Sequence, residues 1–450
     1  MPNDRDIDIG AVIESQRGGR LPAAILVWSC LLMCVEGYDM QVAAYAAPAI
    51  IKTWGVSRAA LGPVFGAGLF GYFIGAIALS DLADRFGRKR MILAGIWLFG
   101  VLTFLSAFAG SLEVLMALRF VAGIGLGGSI PSVIALNAEY TPQDRRATRI
   151  GVLFVGYTIG AALGGVIAAR LMASFGWPAA FVLGGILPLA LSVGVLIALP
   201  ESARFLALRP DNRARLAAIV ARLRPDLTVA PDARFVLGEA PQPGFPMAQL
   251  FRDGRALATG LLWLAFVTSF LGHHFLTSWL PTVLAGNGLP IEHAVYAGAL
   301  FQAGGAIGSI VIGRLIDRRG IAAIAIAFAI ATPLVALIGV PHLPELGLMA
   351  IVGVAGLFVL GGQVGLNALA GTIYPTAVRS TGAGWALGIG RFGSILGPVI
   401  GGVLIGFDLP TWMLLICAAI PLACCAGAAT GLRARTAPTG GATTGRYASA

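Results

Sequence analysis

Residues 80–90 read Ser-Asp-Leu-Ala-Asp-Arg-Phe-Gly-Arg-Lys-Arg, a charged string between two long apolar stretches, and residues 313–320 echo it as Gly-Arg-Leu-Ile-Asp-Arg-Arg-Gly. Both keep an Asp-Arg-x-Gly core (Asp84, Arg85 and Gly87; Asp317, Arg318 and Gly320), and each follows the second apolar segment of its half. The offset is 233 positions, and other features recur near it. Tyr140-Thr-Pro142 with Arg145 is mirrored by Tyr374-Pro375 with Arg379, and Gly160 and Gly164 by Gly393 and Gly397. A repeat this long is half a protein rather than a solenoid unit. Two related helical bundles with a site between them are expected.

Composition sets the solvent. Of 450 residues, 57% are hydrophobic, 12% are charged and 62 are glycine, too little polar surface for a soluble globule of this size. A helix needs roughly 20 apolar residues to cross a bilayer, and about twelve such stretches lie between the charged loops. The expected fold class is therefore an all-α membrane protein with twelve transmembrane helices in two pseudo-symmetric six-helix bundles. Its parts are an N-terminus (1–20), a first bundle (21–199), a linker (200–256), a second bundle (257–430) and a disordered tail (431–450). The middle of the linker, Asn212 to Arg224, reads as a short amphipathic helix on the membrane surface.

The net charge of +10 does not imply nucleic acid. About 26 of the 31 Lys and Arg residues fall in the termini and in alternate loops, the positive-inside pattern, whereas a nucleic-acid face would cluster on one soluble domain. Both termini and the linker are thus expected in the cytoplasm, with no removable signal peptide. Cys30, Cys34, Cys417, Cys424 and Cys425 all lie in apolar stretches without metal-ligand partners and read as packing residues. No Walker loop, metal cluster or nucleophile-base pair is present, so neither ATP-driven nor enzymatic chemistry is expected, and no cofactor.

The polar residues inside the apolar stretches are the candidates for function. Glu36 and Asp39 are three apart on the first helix and share a face. Charges at that depth face a cavity or a partner, and two neighbouring carboxylates oppose each other's ionisation, which makes them a candidate proton site. Arg119 in the fourth helix lies at similar depth and is the natural partner; the alternative is a fixed structural ion pair. Arg391 falls near the midplane of the eleventh helix, where its fork can hold a carboxylate in bidentate fashion or pair permanently with an internal acid. His273 and His274 map across the repeat to Met40 and Gln41, beside Asp39, and one of the two is expected at the site, because neighbours on a helix point about 100° apart. The amides of Gln363 and Asn367, four apart, could orient a ring substituent or bridge helices. Tyr38 and Trp385, with Phe70, Tyr157 and Phe275, are candidate aromatic walls. Glycine faces such as Gly123, Gly127 and Gly128, or Gly156, Gly160, Gly164 and Gly165, suit close helix contact, either as fixed packing or as faces that slide or rock against each other.

Several strings carry a family resemblance. Ser80 to Arg90 resembles the loop signature of the major facilitator superfamily, with Ser80 in place of its first glycine. Arg119 with Gly123, Gly125 and Gly127 resembles that superfamily's fourth-helix motif, and Pro200-Glu201-Ser202-x-Arg204-Phe205-Leu206 its motif after helix six. Within the superfamily, Glu36-Gly-Tyr-Asp39, Gly361-Gly-Gln363-x-Gly-Leu-Asn367, Arg379-Ser-Thr-Gly-x-Gly-Trp385 and Gly390-Arg391-x-Gly393-Ser394 look like the aromatic acid:proton symporter family. Glu36 stands where that family's motif begins with Asp. The resemblance implies a transporter in the inner membrane that acts as a monomer and imports a benzoate- or hydroxybenzoate-like acid with protons by alternating access. By their own chemistry Glu36, Asp39 and Arg119 are the candidates for proton coupling and Arg391, which the resemblance supports through its local motif, for the substrate's acid group, while Asp84, Arg85, Gly87 and Arg88, with Asp317 and Arg318, are expected to form a cytoplasmic gate through charge-assisted hydrogen bonds to helix ends. A carrier of another solute, an efflux antiporter and a non-transporting membrane sensor are the alternatives.

Overall fold

In the computed structural model the described residues are 6–16, 18–209, 212–227, 233–236, 250–252, 255–370, 373–374 and 379–436. Twelve long helices dominate: α1 (Arg20–Trp54), α2 (Gly62–Phe86), α3 (Arg88–Ser106), α4 (Leu112–Glu139), α5 (Gln143–Phe175), α6 (Pro178–Ala198), α7 (Ala256–Gly286), α8 (Ile291–Arg319), α9 (Ile321–Ile338), α10 (Glu345–Ala370), α11 (Arg379–Gly406) and α12 (Thr411–Thr436). Each includes a stretch long and apolar enough to cross a membrane. Helices suit that solvent because they satisfy every backbone N–H and C=O internally. Local chemistry sets their ends. The Ser111 hydroxyl accepts from Val114 N to start α4. Gly87 and Gly320, the matched glycines of the two charged strings, have φ of 101° and 57°, so the tight turns from α2 to α3 and from α8 to α9 need a residue without a Cβ.

Glycine also explains how the helices pair. A Cβ on Gly71, Gly75 or Gly123 would lie 2.0, 2.1 and 2.1 Å from the carbonyl oxygens of Phe120, Ile124 and Gly68, so α2 and α4 touch backbone to backbone. In the second half, Gly304, Gly308 and Gly356 meet the carbonyl oxygens of Gly353, Leu357 and Phe301 at 1.9, 2.0 and 2.0 Å, which packs α8 on α10. Every residue of the second set is its counterpart in the first displaced by 233 positions. The same holds for Gly160 against Cys34 in α5 and α1, and for Gly393 against Val267 in α11 and α7. The duplication seen in the loops is thus a duplication of helix contacts.

The face carrying both ends of the helical chain and the linker is here called the terminal face, and the opposite one the distal face. The bundles meet closely near the distal face. Phe65 packs edge-on against Trp279 at 5.0 Å, Arg58 donates to the Gly286 carbonyl at 3.5 Å, and the Gly62 and Gly402 backbones nearly touch. Toward the terminal face the bundles enclose a cavity instead.

The ends of the chain differ from the reading above in three respects. Helix 213–223 is amphipathic, but Leu216, Ile219, Val220 and Leu223 pack with Ile9, Val12 and Ile13 of a short helix at 9–14, so its apolar face is covered by protein rather than membrane. A short parallel pair, Asp6–Asp8 with Arg234–Val236, fastens the N-terminal segment to the linker. Helix α12 continues to Thr436, past the expected start of the tail at 431, because Ala428, Ala429 and Leu432 still have a core to pack on; residues 437–450 lie outside the described residues.

Adding a Cβ at a backbone contact should cost about 1–3 kcal/mol of overpacking. We expect Gly75→Ala and Gly308→Ala each to lower the thermal unfolding midpoint in detergent, while Gly260→Ala, where nothing lies within 4 Å, should not. Equal midpoints for all three variants would remove the backbone contacts as the basis of helix pairing.

Candidate functional site

Asp39 and Arg119 form a closed, buried ring with Thr103. Arg119 Nη2 donates to Asp39 Oδ2 at 2.9 Å and to the Asp39 carbonyl at 3.0 Å, and Nη1 reaches Oδ1 at 3.3 Å. Thr103 donates to Oδ1 at 2.5 Å and accepts from Nη1 at 2.8 Å. Helices α1, α3 and α4 each contribute one member, so the ring fixes their relative depth. Glu36, equally buried, has a separate partner: its Oε1 accepts from Ser129 at 2.6 Å and its Oε2 has none. Between the two acids, a Cβ on Gly37 would lie 2.0 Å from the Tyr157 carbonyl, so α5 presses directly on the acidic face of α1. Thr103 and Ser129 were missed from the sequence; isolated hydroxyls in apolar helices are too common to single out.

A cavity of about 560 Å³ lies between the bundles in the half nearer the terminal face. Arg391 stands in its wall. Its guanidinium lies 4.5 Å over the Tyr72 ring and 5.7 Å from that of Phe270, and Nη2 donates to the Tyr72 hydroxyl at 3.3 Å. Among the described residues it makes no ion pair, so of the two readings of Arg391 the internal acid is not found. Gln363 and Asn367 line the same space. Ser269 donates to Gln363 Oε1, which leaves Gln363 Nε2 and Asn367 Oδ1 buried without partners.

Both histidines face the cavity, not one. Their rings stack at 4.8 Å and 29°, and Phe270 stacks on His274 at 5.9 Å. Stacking turns both imidazoles to one side, which overrides the 100° between their Cα–Cβ bonds. With Met40 and Tyr157 they also border a second chamber of about 50 Å³ that holds Arg119, Gln41 and Gln302 in its wall. Met40 and Gln41 are the positions to which the repeat maps the histidines. Gln302, with neither amide atom partnered, went unnoticed in the sequence, although a lone amide in the middle of an apolar helix is a readable signal.

Comparison with known proteins gives this geometry its family. Residues 29–355 match the Major Facilitator Superfamily. The chain belongs to the Major Facilitator Superfamily. It is 39% identical to a gallate transporter of Pseudomonas putida over 91% of each chain. It is 36% identical to the 4-hydroxybenzoate transporter PcaK of Pseudomonas aeruginosa, over 90% of this chain and 91% of that one. A 3-(3-hydroxy-phenyl)propionate transporter of Escherichia coli is 32% identical over 85% of this chain and 86% of its own. Among solved structures, a bacterial homologue of the human lysosomal transporter Spinster, inward-facing and occupied, superposes with a TM-score of 0.71 at 17% identity, covering 93% of this chain and 98% of that one. As a superfamily member the chain is a multi-pass membrane transporter and not an enzyme.

Four of the five aromatic residues expected to wall the cavity lie elsewhere. Tyr38 is fully buried within the first bundle, where its hydroxyl donates to the Ala180 carbonyl at 2.8 Å, because one step along α1 from Asp39 rotates it onto α5 and α6. Trp385 sits on the outer surface, stacked on Trp263 at 6.1 Å. Phe70 is likewise outward and Phe275 is buried between helices, so the aromatic wall is Tyr72, Phe154, Tyr157 and Phe270. Of the gate residues, Arg88 Nε bonds Glu139 Oε1 at 2.5 Å at the end of α4, and Ser202 donates to the other oxygen of Glu139. Glu201 Oε1 accepts from Lys89 N at 3.0 Å and Ser202 N at 2.9 Å, while its carboxylate fills the space where a Cβ on Gly87 would lie. The Arg85 carbonyl accepts from Arg209, and Arg318 is exposed. These contacts of the first charged string stay within its own bundle or the linker. The side chains of Asp84 and Asp317 fall outside the described residues.

Thr103→Val should cost about 1–3 kcal/mol in chemical or thermal unfolding, since it leaves buried groups of the ring unpaired, whereas Thr103→Ser should restore most of it; an unperturbed Val variant would mean that the hydroxyl is idle. In a background without the five cysteines, Asn367→Cys and Ile134→Cys in the cavity wall should react rapidly with a soluble maleimide, and Val64→Cys and Leu69→Cys beyond the histidines slowly. The reverse order would place the opening at the distal face.

Proposed function

We propose that this transporter imports a small aromatic carboxylate of the benzoate, hydroxybenzoate or gallate kind, together with protons, by alternating access. The observation that carries the proposal is Arg391: a guanidinium without an acid partner among the described residues, set in an aromatic wall between the two bundles. Such a group binds a carboxylate through two parallel hydrogen bonds, and the faces of Tyr72, Tyr157 and Phe270 accept a ring. The unpartnered amide atoms of Gln363 and Asn367 suit ring hydroxyls, and the histidine pair offers further polar contacts. The relatives named above, which carry gallate, 4-hydroxybenzoate and 3-(3-hydroxyphenyl)propionate, support the same substrate class.

The ring of Asp39, Arg119 and Thr103 supports proton coupling. Arg stays charged under all physiological conditions. A proton arriving on Asp39 removes the charge that holds α1 to α4 and leaves Arg119 buried without its counter-charge, and breaking a buried ion pair in this way costs on the order of 3–5 kcal/mol. Glu36, with one free carboxyl oxygen, is the neighbouring acid that can share the proton. The small chamber bordered by the histidines joins this ring to the substrate cavity, so proton and anion bind on either side of one partition. One proton with one monoanion moves no net charge, and a pH gradient then drives uptake without a cofactor, about tenfold per pH unit. The positive-inside pattern supports a terminal face on the cytoplasmic side of an inner membrane, and on that reading the large cavity opens inward. One chain contains every group invoked, in keeping with function as a monomer.

The test is uptake of radiolabelled 4-hydroxybenzoate, gallate, benzoate and protocatechuate into proteoliposomes with an imposed inward proton gradient and a protonophore control. Accumulation that collapses with the protonophore is expected for at least one; folded protein that accumulates none would move the assignment to another solute or to efflux. Asp39→Asn should abolish gradient-driven accumulation while leaving substrate exchange across the membrane, and normal accumulation would remove Asp39 from coupling. Arg391→Lys should weaken substrate binding by about tenfold or more through loss of the fork; unchanged affinity would assign the acid group elsewhere.

A further inference from the structure

A second built cavity lies at the rim of the first bundle on the terminal face, away from the transport site. It has a volume of about 520 Å³ and is framed by the start of α3, the end of α6 and the two short linker helices, 203–207 and 213–223. Four cationic side chains reach it from three places in the chain: Lys89 and Arg90 from the start of α3, Arg209 from just after helix 203–207, and Arg215 from helix 213–223. Two are held in place. Lys89 Nζ donates to the Leu196 carbonyl at 2.7 Å, and Arg209 donates to the Arg85 carbonyl at 2.5 Å with its guanidinium 4.4 Å over the Phe205 ring. Arg90 and Arg215 are exposed and make no ion pair among the described residues. Among the described residues of the lining the one acid is Glu201, already used by the backbone N–H groups of Lys89 and Ser202.

Beneath this cationic rim the open part of the wall is apolar, with Leu93 and Leu196, and the buried Leu206 and Ile219 close it from behind. Beside these residues in sequence, Phe86, Ile197 and Leu208 expose 53%, 80% and 72% of their surface. The charged rim sits where α3 begins and α6 ends, the level at which a bilayer changes from headgroup to hydrocarbon. A soluble anion would leave the apolar wall uncovered, and a neutral lipid would leave the cations unanswered. We infer that this groove binds an acidic phospholipid, the phosphate among Lys89, Arg90, Arg209 and Arg215 and an acyl chain along Leu93 and Leu196. Because Lys89 and Glu201 also secure the turn between α2 and α3, the bound lipid braces that turn.

The test uses the full chain in neutral detergent, with phosphatidylglycerol, phosphatidylcholine or inorganic phosphate added, and reads lipid retention by native mass spectrometry together with the thermal unfolding midpoint. Phosphatidylglycerol should be retained and should raise the midpoint well above phosphatidylcholine. The double variant Arg90→Gln/Arg215→Gln should bind it about thirtyfold more weakly, at roughly tenfold or less for each charge removed, with an unchanged midpoint in phosphatidylcholine. Arg314→Gln/Arg319→Gln, which removes the same charge from the terminal face of the other bundle, should bind like wild type. Equal loss in both double variants would make the effect diffuse surface charge, an equal rise with inorganic phosphate would make the ligand a free anion, and equal retention of the two lipids would remove the charge argument; each overturns the inference.

Discussion

Helix backbones in this chain approach until a Cβ would overlap a carbonyl oxygen, and everything else is arranged around those contacts. In hydrocarbon no hydrophobic force draws helices together, so association depends on close packing and on polar pairs. Gly71, Gly75 and Gly123 supply the packing between α2 and α4, and Gly304, Gly308 and Gly356 supply it between α8 and α10. Because the second set repeats the first, each half is a bundle of its own. The space left between the two bundles is the cavity.

Polar chemistry is confined to places these bundles create. The ring of Asp39, Arg119 and Thr103 belongs to the first bundle alone, whereas the wall of the large cavity joins Tyr72 and Tyr157 from the first bundle to Phe270, Gln363 and Arg391 from the second. His273 and His274 stand at the boundary. A change at the ring alters how α1 sits on α4, and α1 also carries Met40, which borders both chambers. The buried ring and the large cavity are therefore linked through one rigid helix and one stacked pair rather than through a long chain of contacts.

The residues that could be read in advance were those whose chemistry conflicts with hydrocarbon. Glu36, Asp39, Arg119 and Arg391 stand out because a charge in an apolar span needs a reason. Gln363 and Asn367 stand out for a weaker version of the same conflict. Aromatic residues carry no such signal: Tyr38, Trp385 and Tyr157 look alike in the sequence, yet one lies inside a bundle, one on the outer surface and one at the cavity. Hydroxyls such as Thr103 and Ser129 can satisfy themselves on their own helix, so their service to Asp39 and Glu36 left no trace in the pattern.

Length, apolar spacing, the distribution of Lys and Arg, and the 233-residue echo of Asp-Arg-x-Gly determined by themselves that this is a duplicated twelve-helix membrane protein, because those features report solvent, topology and repeat directly. The tertiary structure decided which polar groups meet. It separated the partners of Glu36 and Asp39, turned both histidines to one side, left Arg391 among aromatic rings and covered the linker helix with the N-terminal segment. Those outcomes depend on helix rotation and depth, which are set by contacts between residues far apart in the chain, and no local pattern encodes them.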